Sequence, residues 1–543
     1  MTSDQKPSRT LLWIKDHSIR LLALLVIGLF LLGLGLRLYD LTDQPIDFHA
    51  TRQLRNAVVA RAIFYEKSPG ADAGLRDLAI RYRNSTGQYE PPILETIVAL
   101  TYLVIGQEEL WVSRLYTTLF WTIGGIALFA LAHRMAKALL EDRGNNNRGP
   151  YIPVISTLVP LAYYLVLPFA VQASRSFQPD PGMVMWIILC VYALYRWSEK
   201  PSWKWALLAG ALGGVAILAK IVAVYILAGA AVALILFNSL QEEKKFFGLL
   251  RNLWNPQIWV IAILMLAPAF SYYFSRGARS NEYFTNWMVA FSHLLLEPWL
   301  YARWLNTVRK LVGVLPLLLS LVGILVSKSR GRALLIGLWL GYVAYGFFLP
   351  YQMYTHSYYH LQLVPIVALS LAPVTLVSLQ RLDATLSGRT QTQRIAIYSL
   401  ISVLSLAVLL YSSWQALVPL YGRDYRNEPG YWQEIAAQLP DDGKIMALTQ
   451  DYGYRLMYYG WRKVTLWPNR GERQLMDMRG SDKSFAELFA ERAEGKSYFL
   501  VTSFNQFNDQ PTLKQTLYDH YPILAETPGY IIFDLRRPSG GTP

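Results

Sequence analysis

Apolar residues run in blocks of about twenty from near residue 20 to near residue 413, separated by short polar connections. A helix needs about 20 apolar residues to cross a hydrocarbon core of about 30 Å. Blocks of that kind fall at 20–38, 112–132, 151–171, 181–197, 203–219, 221–238, 257–274, 310–327, 333–350, 359–379 and 394–413. They predict eleven membrane-spanning helices. Segment 91–106 is apolar too, but it is short, opens with Pro91 and Pro92 and carries Glu95. It is expected to lie at, or dip into, the outer face as a juxtamembrane helix.

From about Tyr411 the pattern changes. Short β-like runs at Ile445–Leu448, Lys463–Trp467, Tyr498–Thr502 and Tyr530–Leu535 alternate with helical stretches at Tyr431–Gln438, Ser484–Ala493 and Thr512–Asp519. Such alternation predicts a small α/β domain, and roughly 120 residues are enough to bury a core. The expected fold class is therefore mostly α: a polytopic membrane helical bundle of about eleven spans with outer juxtamembrane helices and a small C-terminal α/β domain. Residues 1–413 form the membrane domain, with its first outer loop at 39–111, and 414–543 form the extracytoplasmic α/β domain.

Charge sets the topology. The connections 133–150, 198–202, 239–256, 328–332 and 380–393 hold Arg134, Lys137, Arg143, Arg148, Lys200, Lys244, Lys245, Arg251, Lys328, Arg330, Arg332, Arg381 and Arg389. The positive-inside rule puts them, and the N-terminus, in the cytoplasm. Counting 91–106 as a span would invert everything downstream, which is a second reason to leave it out. An odd number of spans then leaves the C-terminus outside.

Composition agrees with this class. Hydrophobic residues make up 53% of the 543 and charged residues only 16%, a balance that fits a polytopic membrane protein rather than a soluble enzyme. The net charge of +14 would suggest nucleic acid in a soluble chain, but here the cytoplasmic loops account for much of it, and no nucleic-acid partner is expected. The single cysteine, Cys190, lies in an apolar segment, so no intramolecular disulfide is possible and no cysteine-based metal site is expected. The basic N-terminal residues before Leu21 could mimic a signal peptide. The apolar run after them is too long and lacks a small-residue cleavage site, so it reads as a retained anchor.

Candidate chemistry gathers on the outer side. Directly after the first span stand Asp47, His49 and Arg52, within six residues at a membrane surface, followed by Tyr89, Glu90, Pro91 and Pro92. The next outer segment reads Ser174, Arg175, Ser176, Phe177, Gln178, Pro179, Asp180, Pro181, in which two prolines present one carboxylate at a helix start. Lys220 is a lone cation between two apolar runs, Arg279 lies in the long segment 275–309, and His356, Tyr358, Tyr359 and His360 form an aromatic, imidazole-rich patch. Each has a plainer explanation. Asp180 could cap a helix, Lys220 could snorkel to the interface, and the tyrosines could form an interfacial belt. His49 alone is too isolated for a metal ligand. What favours function is co-location: carboxylates suited to proton transfer and cations suited to a phosphate all fall on one side.

These residues also carry a resemblance. Asp47, then Glu90-Pro91-Pro92-Ile93-Leu94, Gly106 to Arg114-Leu115, Ser174-Arg175 to Asp180, Leu207 to Lys220, and Tyr358-Tyr359-His360-Leu361 to Pro365 occur in an order that resembles the C-superfamily of integral-membrane glycosyltransferases. The likeness is to the protein O-mannosyltransferase and lipid A aminoarabinose-transferase (family 39-like) branch, and it covers about residues 15–415. It implies a polyprenyl-phosphate-linked sugar donor and inverting transfer on the extracytoplasmic face of the plasma membrane, to a lipid, glycan or protein acceptor. On that reading the enzyme is a hexosyl- or pentosyltransferase. Asp47 is the base and Asp180 a second acid. Lys220, Arg52 and Arg279 bind the donor phosphate, and His49, Glu90, Arg175, His356, Tyr358 and Tyr359 contact substrate. Many relatives carry two adjacent acids in the first loop, whereas here Phe48 and His49 follow Asp47. A divalent metal is therefore left open, with no ligand set to support one, and no cofactor is assigned.

Two other classes share parts of this pattern. An O-antigen-type ligase or polymerase is also extracytoplasmic and lipid-phosphate dependent. A lipid-linked sugar transporter or flippase is also polytopic, but favours an internal repeat and midplane charges, whereas these runs are nearly free of ionisable groups at their centres. The topology has a direct test: a reporter active only in the cytoplasm, fused after Pro543, is expected to be silent, and activity would show that 91–106 spans the membrane.

Overall fold

The structure, a computed structural model, describes residues 9–87, 89–144, 151–241, 254–275, 285–440, 443–480 and 483–538. All eleven predicted apolar runs are helical. Seven helices are long and apolar enough to cross a membrane among the described residues: Ile19–Leu38, Trp111–Asp142, Ala223–Leu240, Pro256–Phe274, Ser329–Phe348, Ser357–Leu386 (its first turn 3₁₀) and Gln391–Tyr421. Two bent pairs raise that number to nine. Trp203–Ala219, at 17 residues, and Asp180–Glu199, at 20, cover the remaining two runs. The chain is a multi-pass membrane protein.

The bent pairs have identifiable causes. Tyr151–Val166 and Pro168–Ser174 meet at 56°, where the ring of Pro168 opens the second helix and cannot continue the hydrogen-bond ladder of the first. Pro298–Val312 and Val314–Val326 meet at 98°, and the turn is Gly313, whose φ of 84° strongly favours glycine. The block expected at 310–327 thus begins inside a different helix. In Pro298–Val312 the buried residues Leu300, Trp304, Val308 and Val312 recur every four positions, leaving Arg303, Arg309 and Lys310 off that stripe. Segment 91–106 is helical over Ile93–Ile105. Its 13 residues rise about 20 Å, short of a bilayer core.

The described chain divides into two compact units. One comprises residues 1–41, 89–93 and 113–422, and the other 42–88, 94–112 and 423–543. In the first, the helices Ala223–Leu240 and Ser329–Phe348 meet through glycines. A Cβ at Gly337 would collide with the carbonyl oxygen of Gly229, and one at Gly341 would lie 2.5 Å from that of Tyr225. Small residues let backbones approach where apolar lipid supplies no hydrophobic drive for association.

The second unit contains a five-stranded sheet of order β2-β1-β3-β5-β4, with β1 Ile445–Leu448, β2 Val464–Leu466, β3 Tyr498–Val501, β4 Ile523–Glu526 and β5 Ile531–Asp534. β1 pairs in parallel with β2 and β3, and β5 is antiparallel to β3 and β4. Met446, Leu448, Trp467, Phe489, Phe499 and Phe533 form its core with neighbouring helices. Four strands were predicted. β4 is an additional edge strand whose Ile523 and Leu524 are 41% and 47% exposed, so it lacks the buried alternation that marks a strand in a sequence.

Gly337→Ala is expected to force the two glycine-packed helices apart, costing about 1–3 kcal/mol. Gly28→Ala, where nothing lies within 4 Å of the added Cβ, should leave the melting temperature in detergent unchanged or raised. Thermal unfolding of the two variants side by side checks this.

Candidate functional site

In the first unit the site is built where helices break. Residues 175–179 link Pro168–Ser174 to Asp180–Glu199, and Ala173–Gln178 are buried. Asp180 opens the second of these helices with Pro181 behind it. Lys220 follows Trp203–Ala219 in an extended conformation (φ −159°, ψ 119°) and precedes Ala223–Leu240. Its Nζ donates to Asp180 Oδ1 at 2.8 Å, with the two side chains only 4% and 2% exposed. The ammonium also stands 4.9 Å from the ring centre of Tyr358 and 4.4 Å from that of Tyr359, within the range of a cation–π contact. The residues given separate roles from the sequence, Asp180 and Lys220, are one ion pair walled by two tyrosines.

The turn that carries those tyrosines is fixed from behind by His360. Its Nε2 faces the carbonyl of Met353 at 2.9 Å. An oxygen that can only accept puts the proton on Nε2, so Nδ1 accepts from the Tyr342 hydroxyl at 2.6 Å. That hydroxyl in turn accepts from Trp304 Nε1 at 3.0 Å. Tyr345 stacks on Tyr359 with ring centres 6.3 Å apart. His356 lies edge-on to Tyr358 and Tyr359, 5.6 and 5.9 Å between ring centres, and its Nδ1 is 2.7 Å from Thr355 Oγ1. The Trp304–Tyr342–His360 chain was not singled out from the sequence, and spacing alone offers no cue to it.

Buried polar groups remain unmet at the pair and at residues close to it in sequence, two before Asp180 and three after Tyr359. Asp180 Oδ2 and both polar atoms of Gln178 and Gln362 have no hydrogen-bond partner among the described residues. A buried polar group left unmet costs about 1–3 kcal/mol, so these atoms point to water or a polar ligand. Arg175 and Arg114 both donate to the carbonyl of Asp40, at 3.0 and 3.1 Å, and Arg37 donates to Ser174 Oγ at 2.6 Å. Arg37 and Arg175 bind the end of the first span to the Ser174–Arg175 stretch, and Arg114 binds it to the helix Trp111–Asp142. Glu90 is half-buried. Arg279 lies outside the described residues.

Asp47, His49 and Arg52 belong to the second unit. The half-buried Asp47 accepts from Gln53 Nε2 at 3.2 Å, and the same amide donates to the carbonyl of Phe48 at 2.7 Å. His49 precedes helix Ala50–Lys67 in a left-handed conformation, φ 49° and ψ 60°. Arg55 donates to the carbonyl of Gly87 at 2.8 Å. Further along, Arg61 lies between the rings of Tyr458 and Trp461, 3.7 and 4.3 Å from their centres, and pairs with Glu108 at 2.9 Å. Burial works to lower the pKa of this guanidinium, but Glu108 and Tyr458 beside it outweigh burial and hold it above its ordinary value. The stack unites side chains from three distant segments, which sequence reading did not find. Among the described residues, no group of three or more His, Cys, Asp and Glu side chains is placed to hold a metal ion.

The ion pair has a measurable signature. Lys220→Ala leaves the Asp180 carboxylate buried without its cation, and removing one member of a buried pair costs about 3–5 kcal/mol. A Lys220→Met, Asp180→Asn double variant removes both charges and is expected to recover most of that loss in a detergent melting experiment. Equal melting of the Lys220→Ala and native proteins would show that the carboxylate is not held by this lysine.

Residues 154–254 match the family described as dolichyl-phosphate-mannose-protein mannosyltransferase. No curated protein matches the chain by sequence. Its structure is similar to that of ArnT from Cupriavidus metallidurans in the apo state, with a TM-score of 0.51 at 14% identity over 96% of this chain and 98% of that one. ArnT from Cupriavidus metallidurans bound to undecaprenyl phosphate gives a TM-score of 0.51 at 15% identity over 95% and 97%. An Archaeoglobus fulgidus oligosaccharyltransferase, in complex with Zn and sulfate, gives 0.49 at 10% identity over 94% and 73%. Residues 154–254 thus resemble that mannosyltransferase family, and over nearly its whole length the chain shares the fold of ArnT.

Proposed function

We propose that this protein transfers a sugar from a polyprenyl-phosphate carrier to a lipid, glycan or protein acceptor on the extracytoplasmic face, with inversion at the anomeric carbon. The observation that carries the reading is the buried Lys220–Asp180 pair walled by Tyr358 and Tyr359, in a fold shared with a protein that binds undecaprenyl phosphate. The N-terminus is cytoplasmic, and the domain at 414–543 is extracytoplasmic.

The chemistry follows from what each group can do. The acceptor hydroxyl is a poor nucleophile until a base takes its proton, and Asp47 is that base. As the acceptor oxygen bonds to the anomeric carbon, the bond from that carbon to the phosphate oxygen breaks, and the lipid phosphate leaves with an added negative charge. Lys220 and Arg52 stabilise that charge; Arg279 is assigned the same role. An ammonium has three donors and Asp180 accepts one of them, so Lys220 can meet a phosphate without giving up its partner. Asp180 thereby orients the lysine as well as acting as the second acid. The unmet amides of Gln178 and Gln362 suit sugar hydroxyls. His49, Glu90, Arg175, His356, Tyr358 and Tyr359 are proposed to contact substrate, the tyrosines through their ring faces.

Two experiments test this. Mass spectrometry of lipids that co-purify with the protein should find a polyprenyl phosphate, and a preparation that neither retains nor accepts one would remove the donor assignment. Asp47→Asn keeps size and most hydrogen bonding but cannot take a proton, so turnover should fall about 10²–10⁴-fold with donor affinity retained. Near-normal turnover in that variant would falsify the assignment of the base.

A further inference from the structure

The loop that carries Asp47 is fastened on both sides by the C-terminal segment of the same compact unit. Four residues before Asp47, the buried Asp43 receives the backbone N–H of Tyr425 on both carboxylate oxygens, at 3.0 and 3.2 Å. Three residues before it, Gln44 Oε1 accepts from the Tyr459 hydroxyl at 3.0 Å. Four residues after it, Thr51 Oγ1 donates to Asp451 Oδ1 at 3.2 Å. The helices that follow are gripped in turn, by Arg61 between Tyr458 and Trp461 and by Tyr82, whose hydroxyl donates to the carbonyl of Trp461 at 2.7 Å.

Backbone conformation marks the same place independently. Asp40, His49, Ser329, Asp451, Tyr452 and Trp461 are the non-glycine residues with positive φ among those described. Four of them, all but Asp40 and Ser329, lie on the two sides of this contact. A left-handed conformation costs a non-glycine residue roughly 1–2 kcal/mol and persists only where the surroundings over-determine it. Asp451, Tyr452 and Gly453 take it in succession. Asp451 is held there by Arg455, whose Nε donates to Oδ2 at 2.5 Å while Nη1 reaches Glu428 at 3.1 Å. Burial acts to lower the Arg455 pKa, but Asp451 and Glu428 outweigh it and keep it raised. One carboxylate oxygen of Asp451 is thus fixed by a cation, and the other is presented to Thr51.

We infer that the C-terminal domain is the positioning part for the Asp47 loop, with Asp451, Tyr459 and the backbone of Tyr425 as the residues that hold it. The inference rests on the reading of Asp47 as the base. A base must stand within hydrogen-bond reach of the hydroxyl it deprotonates, and misplacement by about 1 Å can cost on the order of 10² in rate. A loop held only by hydrogen bonds among its own neighbouring residues would not keep that tolerance. An acceptor-binding module hinged on a linker would not need these fastenings, and it would not place strained backbone on both sides of them.

The test uses the full-length protein in detergent. Thr51→Val and Tyr459→Phe each remove one of these hydrogen bonds with little change of shape. In the double variant, amides over residues 43–53 should exchange with deuterium about tenfold faster or more, while peptides of β1 and β3 keep their protection. kcat should fall about tenfold, and Thr51→Ser, which keeps the hydroxyl, should retain native exchange and turnover. Unchanged exchange over 43–53 overturns the fastening, and faster exchange with native kcat overturns its role in turnover. Asp47→Asn separates this inference from the reading beneath it. If that variant turns over normally, the base is elsewhere and positioning of a base at Asp47 falls with it, whatever the exchange shows. If it is inactive while the double variant keeps native kcat, only the positioning role falls.

Discussion

A lysine ammonium withdrawn from water needs its charge shared, and Lys220 meets that requirement with Asp180 and two tyrosine faces. Three elements of the membrane unit meet there. The carboxylate opens one helix, the ammonium ends another, and the tyrosines come from a third region of the chain. Each therefore sits at a break in regular structure, where a side chain can reach inward from a terminus rather than across a helix barrel. Such a pair is weak evidence for stability, because desolvating both charges offsets much of their attraction. It does fix which helix ends must meet, and it leaves one carboxylate oxygen unmet by protein among the described residues.

The second unit handles charge by the same means and to a different end. Arg61 and Arg455 are each held above their ordinary pKa by carboxylates that outweigh burial, and Arg61 is also faced by aromatic rings. Here the cations are fasteners. Arg61 joins the helix Ala50–Lys67 to Glu108 and to the C-terminal segment of the unit, and Arg455 ties Glu428 to Asp451 within that segment.

What could be read from the sequence divides along physical lines. Span positions were legible because an apolar block near twenty residues has few other uses, and all eleven blocks are helical. Pro168 and Gly313 were visible as residues, but the bends of 56° and 98° they permit depend on packing that periodicity does not encode. β4 was missed because an edge strand with exposed Ile523 and Leu524 carries no burial pattern. Asp180 and Lys220 were each picked out, while their pairing was not: 40 residues separate them, and a lone carboxylate or cation gives no sign of its partner. The Arg61 stack was illegible for the same reason, since Glu108, Tyr458 and Trp461 are ordinary residues until the fold brings them together.

The glycine contacts between Ala223–Leu240 and Ser329–Phe348 bear on how a lipid could reach the interior. At Gly229, Gly337 and Gly341 one backbone lies so close to the other that even a methyl group would collide with a carbonyl oxygen. A seam that narrow admits no hydrocarbon tail. Any hydrocarbon chain entering between helices of this unit must therefore do so at another gap, and the two helices joined at this seam are closed to it.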